Sequence, residues 1–166
     1  MRKYALGLVF LISSVLIFSC TKKLMSPKPG IQYPPDTRSQ VTIVQGVWGN
    51  VWFWKGNFMP GSATGTITPV VRQVFVYKPV HIDSVVTVGY SPFYLAIHGT
   101  LVATTTSNNT GFFQMVLDTG KYSLFVKEDT LYYANLFDGE GYILPAKVAR
   151  DSVTKVQIDI TYEAYW

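Results

Sequence analysis

His81-Ile82-Asp83-Ser84 brings an imidazole, a carboxylate and a hydroxyl into four consecutive positions. These are the side-chain types of a nucleophilic triad, but a triad works through geometry and not adjacency. On a strand His81 and Asp83 share a face and Ser84 points away. The other histidine, His98, opens no H-E-x-x-H or H-x-x-E pattern, and neither does His81. A hydrolytic zinc site needs such clustered ligands. Asp138-Gly139-Glu140-Gly141 offers oxygen ligands to a hard cation. It lacks the alternating acidic ladder of a calcium loop and reads as ordinary turn chemistry. The chain has no G-x-x-x-x-G-K-[ST] phosphate loop and no dinucleotide fingerprint. The expectation is a protein that is not an enzyme and uses no metal or cofactor.

Recognition chemistry is better represented. Trp48, Trp52 and Trp54 have the same parity, so on one strand they project from one face, with Val47, Val51 and Phe53 on the other. If the valines enter the core, the three indoles form a surface stripe. Such a stripe offers apolar area with a polar N–H to a sugar ring, an apolar peptide or a partner protein. Cover by residues 79–105 or by the N-terminal segment would close it. Three aspartates precede a hydroxyl residue and then an aliphatic one, at Asp83-Ser84-Val85, Asp129-Thr130-Leu131 and Asp151-Ser152-Val153. These resemble the short acceptor of a bacterial O-glycosylation system, which would place glycans on Ser84, Thr130 and Ser152. Turn-forming Asx and Ser/Thr pairs explain them equally well.

Cys20 is the only cysteine, and it closes an uncharged run from Tyr4 to Phe18 that follows Arg2 and Lys3. A basic start and a short apolar run are the pattern of an export signal. A membrane-crossing helix needs roughly 20 apolar residues, more than this run supplies. Ile17-Phe18-Ser19-Cys20 resembles the lipobox of bacterial lipoproteins, which implies a lipid on Cys20 once residues 1–19 are removed. Thr21 in place of aspartate resembles lipoproteins sent to the outer membrane. No acidic run of the kind linked to surface display follows Cys20, so a periplasm-facing position is expected.

The net charge of +4 falls to +2 once Arg2 and Lys3 leave with residues 1–19. No basic run exceeds Lys22-Lys23, so nucleic acid is not an expected partner. That pair lies near the expected lipid, where each charge is worth about 1 kcal/mol against anionic headgroups. With no second cysteine for a disulfide, stability must come from an apolar core, and 48% of the residues are hydrophobic. The aromatic share of 15% against 14% charged suits half-buried strands.

Three zones follow: residues 1–19 as signal, 20–45 as lipidated terminus and Pro-rich linker, and 46–166 as folded body. Pro27, Pro29, Gly30, Pro34 and Pro35 break any regular element in the second zone. From Gly46 the pattern has period two. Val156, Ile158, Ile160, Tyr162 and Ala164 alternate with Gln157, Asp159, Thr161 and Glu163. Phe112–Leu117 and Tyr122–Lys127 flank the turn Asp118-Thr119-Gly120-Lys121 and read as a hairpin. Further strands are expected at Gly46–Trp54, Val70–Tyr77, Val80–Gly89 and Phe93–Thr105, with a short segment at Val148–Arg150. No amphipathic helix is expected after the signal. The fold class is all-β, a single sandwich of about seven strands.

The stretch Gly111-Phe112-Phe113-Gln114-Met115-Val116-Leu117-Asp118-Thr119-Gly120-Lys121-Tyr122 resembles the G-x-F-x-x-x-L-x-x-G-x-Y signature of carboxypeptidase regulatory-like domains. Gly49 and Val51 fall in that family's first-strand G-x-V place. Gly56-Asn57-Phe58-Met59-Pro60-Gly61 and Tyr133-Ala134-Asn135-Leu136-Phe137-Asp138-Gly139 are similar to small lipidated members in Gram-negative bacteria. The resemblance covers roughly residues 46–166 and implies a transthyretin-like Greek-key β-sandwich. It implies no peptidase activity, because such domains accompany catalytic or transport modules as spacers or docking surfaces. The function expected is a non-catalytic, lipid-anchored binding or structural module of the envelope, meeting the membrane through its lipid and an envelope protein or glycan through its body. The alternative is a carbohydrate-binding accessory of a polysaccharide uptake system, working through Trp48, Trp52 and Trp54.

Overall fold

A computed structural model describes residues 30–61 and 63–166; the signal, the lipobox and Cys20 lie outside them. Two sheets form a sandwich. The first is built on β1 (Gly46–Asn57), whose one edge carries β11 (Val153–Tyr165) in parallel along nearly its whole length. The other edge is shared: β7 (Phe112–Met115) pairs with Val47–Asn50, and β2 (Thr66–Pro69) with Trp52–Lys55. The handover falls at Val51, whose N–H donates to the Gly111 carbonyl and whose own carbonyl accepts from Val70. Gly111 has φ +75° there, and a Cβ would stand 2.6 Å from the Val51 oxygen, so glycine is required where β7 begins.

The second sheet runs β4 (Val85–Thr87), β5 (Phe93–Ile97), β9 (Leu131–Tyr133), β8 (Gly120–Glu128), β3 (Gln73–Tyr77), β6 (Leu101–Thr106). β10 (Pro145–Val148) lies on the first half of β8, beside β9 on the second. Among the described residues eleven strand segments therefore stand where about seven were expected: β2 and β7 divide one edge of β1, and β10 and β9 divide one edge of β8. Val80–Gly89 is strand only at Val85–Thr87, after a 3₁₀ turn at Ile82–Ser84.

Val47 and Val51 of β1, Phe113 and Met115 of β7, and Val156, Ile158 and Ile160 of β11 form one wall of the core. Tyr122, Leu124 and Val126 of β8 with Val74 and Val76 of β3 form the opposing wall. This corrects the hairpin reading. β7 and β8 belong to different sheets, and Asp118–Thr119 carries the chain across the sandwich. The Tyr122 hydroxyl donates back to the Asp118 carbonyl at 2.8 Å, a tyrosine corner that clamps the crossing.

Two layers lie outside the main core. On the far side of the second sheet, Phe75, Tyr77, Phe125 and Tyr132 meet edge to face at 5.1–6.4 Å. Residues 80–99 cover them. Tyr94 meets Phe125 at 5.7 Å, and the Val80 N–H donates to Ser123 Oγ. On the far side of the first sheet lie the tryptophans.

Burial, then the neighbouring Tyr133, pushes the Tyr94 hydroxyl up to about 12. Burial, then its hydrogen bond to Glu128, pushes Tyr162 up to about 12 as well. Each is neutral when protonated, and its unfolded value is near 10.0. Their contribution to stability is therefore complete below pH 10 and is lost as pH rises through 12. A thermal melt series should hold level up to about pH 10 and fall steeply above it. Tyrosinate absorbance of the folded protein should lag behind that of free tyrosine. A midpoint unchanged across this alkaline window would contradict the assignment.

Candidate functional site

The tryptophan stripe is formed as expected, with Trp48 buried and Trp52 and Trp54 half-buried. Val47 and Val51 enter the core, and Trp48, Trp52 and Trp54 take the other face with Asn50. Trp48 is only 6% exposed, held between Phe112 at 6.3 Å and the Lys155 ammonium 5.2 Å from its ring. The Trp52 indole N–H is buried without a protein partner, so it faces no external acceptor. Trp54 donates to Asp159 at 3.0 Å.

The cover is the segment read as a linker. Residues 30–45, its described part, lie on the outer face of the first sheet. Thr37 is buried and donates to Asn50 Oδ1. Three amides fasten the rest. Gln40 links Thr110 and Asn108, Gln114 makes two bonds to Thr42, and Gln45 bridges the Leu117 carbonyl and the Asp151 N–H. The folded body thus starts before residue 46, because a sheet face bearing three tryptophans and a buried Asn50 needs apolar cover and a polar partner. Glutamines spaced along a Pro-rich segment are the signal that sequence reading passed over.

A β-bulge extends the aromatic layer. Phe53 opposes Ile160, but Lys55 opposes Glu163, so β11 carries one extra residue at Thr161–Tyr162. Beyond it the faces exchange. Ala164 leaves the Ile160 face and joins Trp52 and Trp54, which corrects the unbroken alternation expected to Ala164. Trp166 stacks on Phe58 at 5.3 Å and meets Trp54 at 5.7 Å.

The polar clusters bond within and between their own turns, and His81 Nδ1 also lies 3.1 Å from Asp83 Oδ2. His81 Nε2 sits 3.0 Å from the Glu140 carbonyl, while Nδ1 accepts from the Asp83 N–H at 3.3 Å. The ring thus joins the 138–142 loop to the 3₁₀ turn and does not address the Ser84 hydroxyl. Asp138 Oδ1 accepts from the N–H groups of Glu140 and Tyr142, so that carboxylate is spent on its own turn. Among the described residues no three His, Cys, Asp or Glu side chains gather as a metal would need. Glu128, nearly buried, binds the Arg72 guanidinium and the Tyr162 hydroxyl. Thr130 is exposed in the β8–β9 turn, and Ser84 and Ser152 are half-exposed. Asp129 and Asp151 hold φ of 50° and 52°, the left-handed turn geometry that Asp tolerates.

An apolar surface is exposed on the second sheet. β4 is one edge of the second sheet and β6 the other. Val86, Val88 and Leu95 are exposed along β4 and β5, and Leu136 and Phe137 are exposed nearby. Tyr90 is fully exposed at the tip of the β4–β5 connection. A hollow of about 610 Å³ opens between Thr87, Tyr90, Pro92, Asn135 and Phe137. Tyr90 and Phe137 flank this hollow, and the other exposed apolar residues lie beside it.

Comparison with protein-family models, curated proteins and solved structures finds no match to this chain. Among the described residues no helix is long and apolar enough to cross a membrane.

Proposed function

We propose that this protein is a non-catalytic accessory of the cell envelope, a carboxypeptidase regulatory-like sandwich tied by a lipid on Cys20 to the periplasm-facing side of the outer membrane. The anchor rests on the basic start, the apolar run and the Ile17-Phe18-Ser19-Cys20 boundary. The binding role rests on one observation, the exposed apolar edge of β4–β5 around the Tyr90 hollow. An edge strand offers unpaired backbone groups, so an extended segment of an envelope protein can add beside β4 and seat an apolar side chain against Tyr90. The carbohydrate-binding alternative asks for an open stripe at Trp48, Trp52 and Trp54. Residues 30–45 lie over that stripe, so the β4–β5 edge is the better site.

The test has two arms. Cys20→Ala should move the protein from the membrane to the soluble fraction; a variant that stays wholly with membranes removes the anchor. Pull-down from native envelopes should yield a partner that Tyr90→Ala with Leu95→Lys loses by tenfold or more while its melting temperature stays unchanged. Equal recovery by both proteins removes the β4–β5 site.

A further inference from the structure

The described chain enters the fold at one end of the tryptophan face. Gly30 abuts the Ala63 carbonyl, Ile31 is buried with Phe58 and Ile67, and Tyr33 stands edge-on to Trp54 at 6.0 Å. β1 and β11 finish at this same end, where the Phe58 N–H donates to the Tyr165 carbonyl at 2.8 Å. Tyr33, Met59, Tyr165 and Trp166 project from it into solvent, Trp166 with 67% of its surface free. A groove of about 460 Å³ continues between Gln32–Pro35 and Thr66–Pro69. At about 3.3 Å per residue, β1 carries the fold about 36 Å to its other end, where Gly46 and the Asp118–Thr119 turn lie.

Ten Cα steps separate Cys20 from Gly30, a reach of at most about 36 Å when fully extended. Those steps carry Lys22, Lys23 and Lys28 and no acidic residue. A lipid on Cys20 therefore ties the bilayer to the fold at its aromatic end, within about 36 Å of Gly30. Tyr and Trp partition to the membrane–water interface, with the ring at the acyl boundary and the N–H or O–H among headgroups.

We propose that this end of the sandwich docks on the anionic lipid surface, with Tyr33, Met59, Tyr165 and Trp166 at the interface. The inference rests on the Cys20 anchor proposed above. It fixes which end faces the bilayer and leaves the Asp118–Thr119 end in water.

The test uses the full-length lipoprotein in vesicles of phosphatidylethanolamine and phosphatidylglycerol, with a tracer lipid bearing a nitroxide on its headgroup. The protein should float with the vesicles and its tryptophan emission should be quenched. Trp166→Phe, which keeps a ring on Phe58, should lose at least half of that quenching. In case this variant folds poorly, a spin label on Met59→Cys should report lipid contact while one on Thr119→Cys stays aqueous. Protein that floats with no quenching and two aqueous labels overturns the docking and leaves the anchor standing. Protein that does not float overturns the anchor, and the docking with it. Spin–spin broadening between Met59→Cys labels on neighbouring molecules would place a second copy on this end and overturn the lipid assignment.

Discussion

Gly49→Ala is expected to destabilise the protein by about 3 kcal/mol, near the upper end for overpacking. A Cβ at Gly49 would stand 1.7 Å from the Val156 carbonyl oxygen and 3.1 Å from the Phe113 ring. The first obstacle is backbone, which cannot swing aside as a side-chain tip can. β1 and β11 would have to part in the first half of their seam, where Gly49 pairs with Val156. The core residues flanking it, Val47, Val51 and Ile158, would move with them. A loss of this size lowers the melting temperature by roughly 10 °C for a chain of this length. Gly139→Ala is the matched control, since a Cβ there meets nothing within 4 Å and the backbone is not left-handed. Its urea midpoint should stay within experimental error of wild type. Equal midpoints for the two variants would mean that the β1–β11 seam does not hold Gly49 as described.

Arg72→Met is expected to cost about 3–5 kcal/mol, because it strands a carboxylate that is 7% exposed. Glu128 takes both its charged contacts from the Arg72 guanidinium, and the Tyr162 hydroxyl at 3.0 Å is left as a single neutral donor. The cost comes from isolating the charge and not from the worth of the pair. Adding Glu128→Gln to Arg72→Met should therefore recover most of the loss, which a double-mutant cycle reads directly. The Lys55–Glu163 pair is the contrast. It is short at 2.7 Å, but its side chains are 66% and 39% exposed. Water already solvates both charges, so Lys55→Met should leave the urea midpoint unchanged. An Arg72→Met midpoint no lower than that of Lys55→Met would show that solvent reaches Glu128.

The same contrast between local pattern and packed context separates what was readable in the chain from what was not. Val47 and Val51 along one side of β1, and Val156, Ile158 and Ile160 along one side of β11, were legible because a sheet buried on its inner side imposes period two on its residues. The turn chemistry of Asp118-Thr119-Gly120 was legible too, but its consequence was not. A four-residue turn between two alternating segments fits a hairpin within one sheet and a crossing between two. The choice falls to the crossing because Phe113 and Met115 bury themselves by facing Leu124 and Val126 across the core, not by lying beside them. Tyr122 locks that choice through Asp118. The bulge at Thr161–Tyr162 is equally silent in sequence, since it depends on the register of β11 against β1.

The candidate sites divide in the same way. Trp48, Trp52 and Trp54 were visible as a stripe from parity alone, whereas their cover depends on residues 30–45 folding back over them. Proline content read locally says that this segment forms no helix or strand; it does not say what the segment lies on. Tyr90 and Phe137 gave no signal because single exposed apolar residues are ordinary, and only the tertiary structure brings the β4–β5 connection and the segment after β9 to one hollow. The sequence by itself determined an all-β chain whose strands set valines on one face and tryptophans or polar residues on the other, since alternation is a property of consecutive residues. Only the tertiary structure decided which sheet each strand joins and which aromatics reach solvent, because both are set by contacts between residues far apart in the chain.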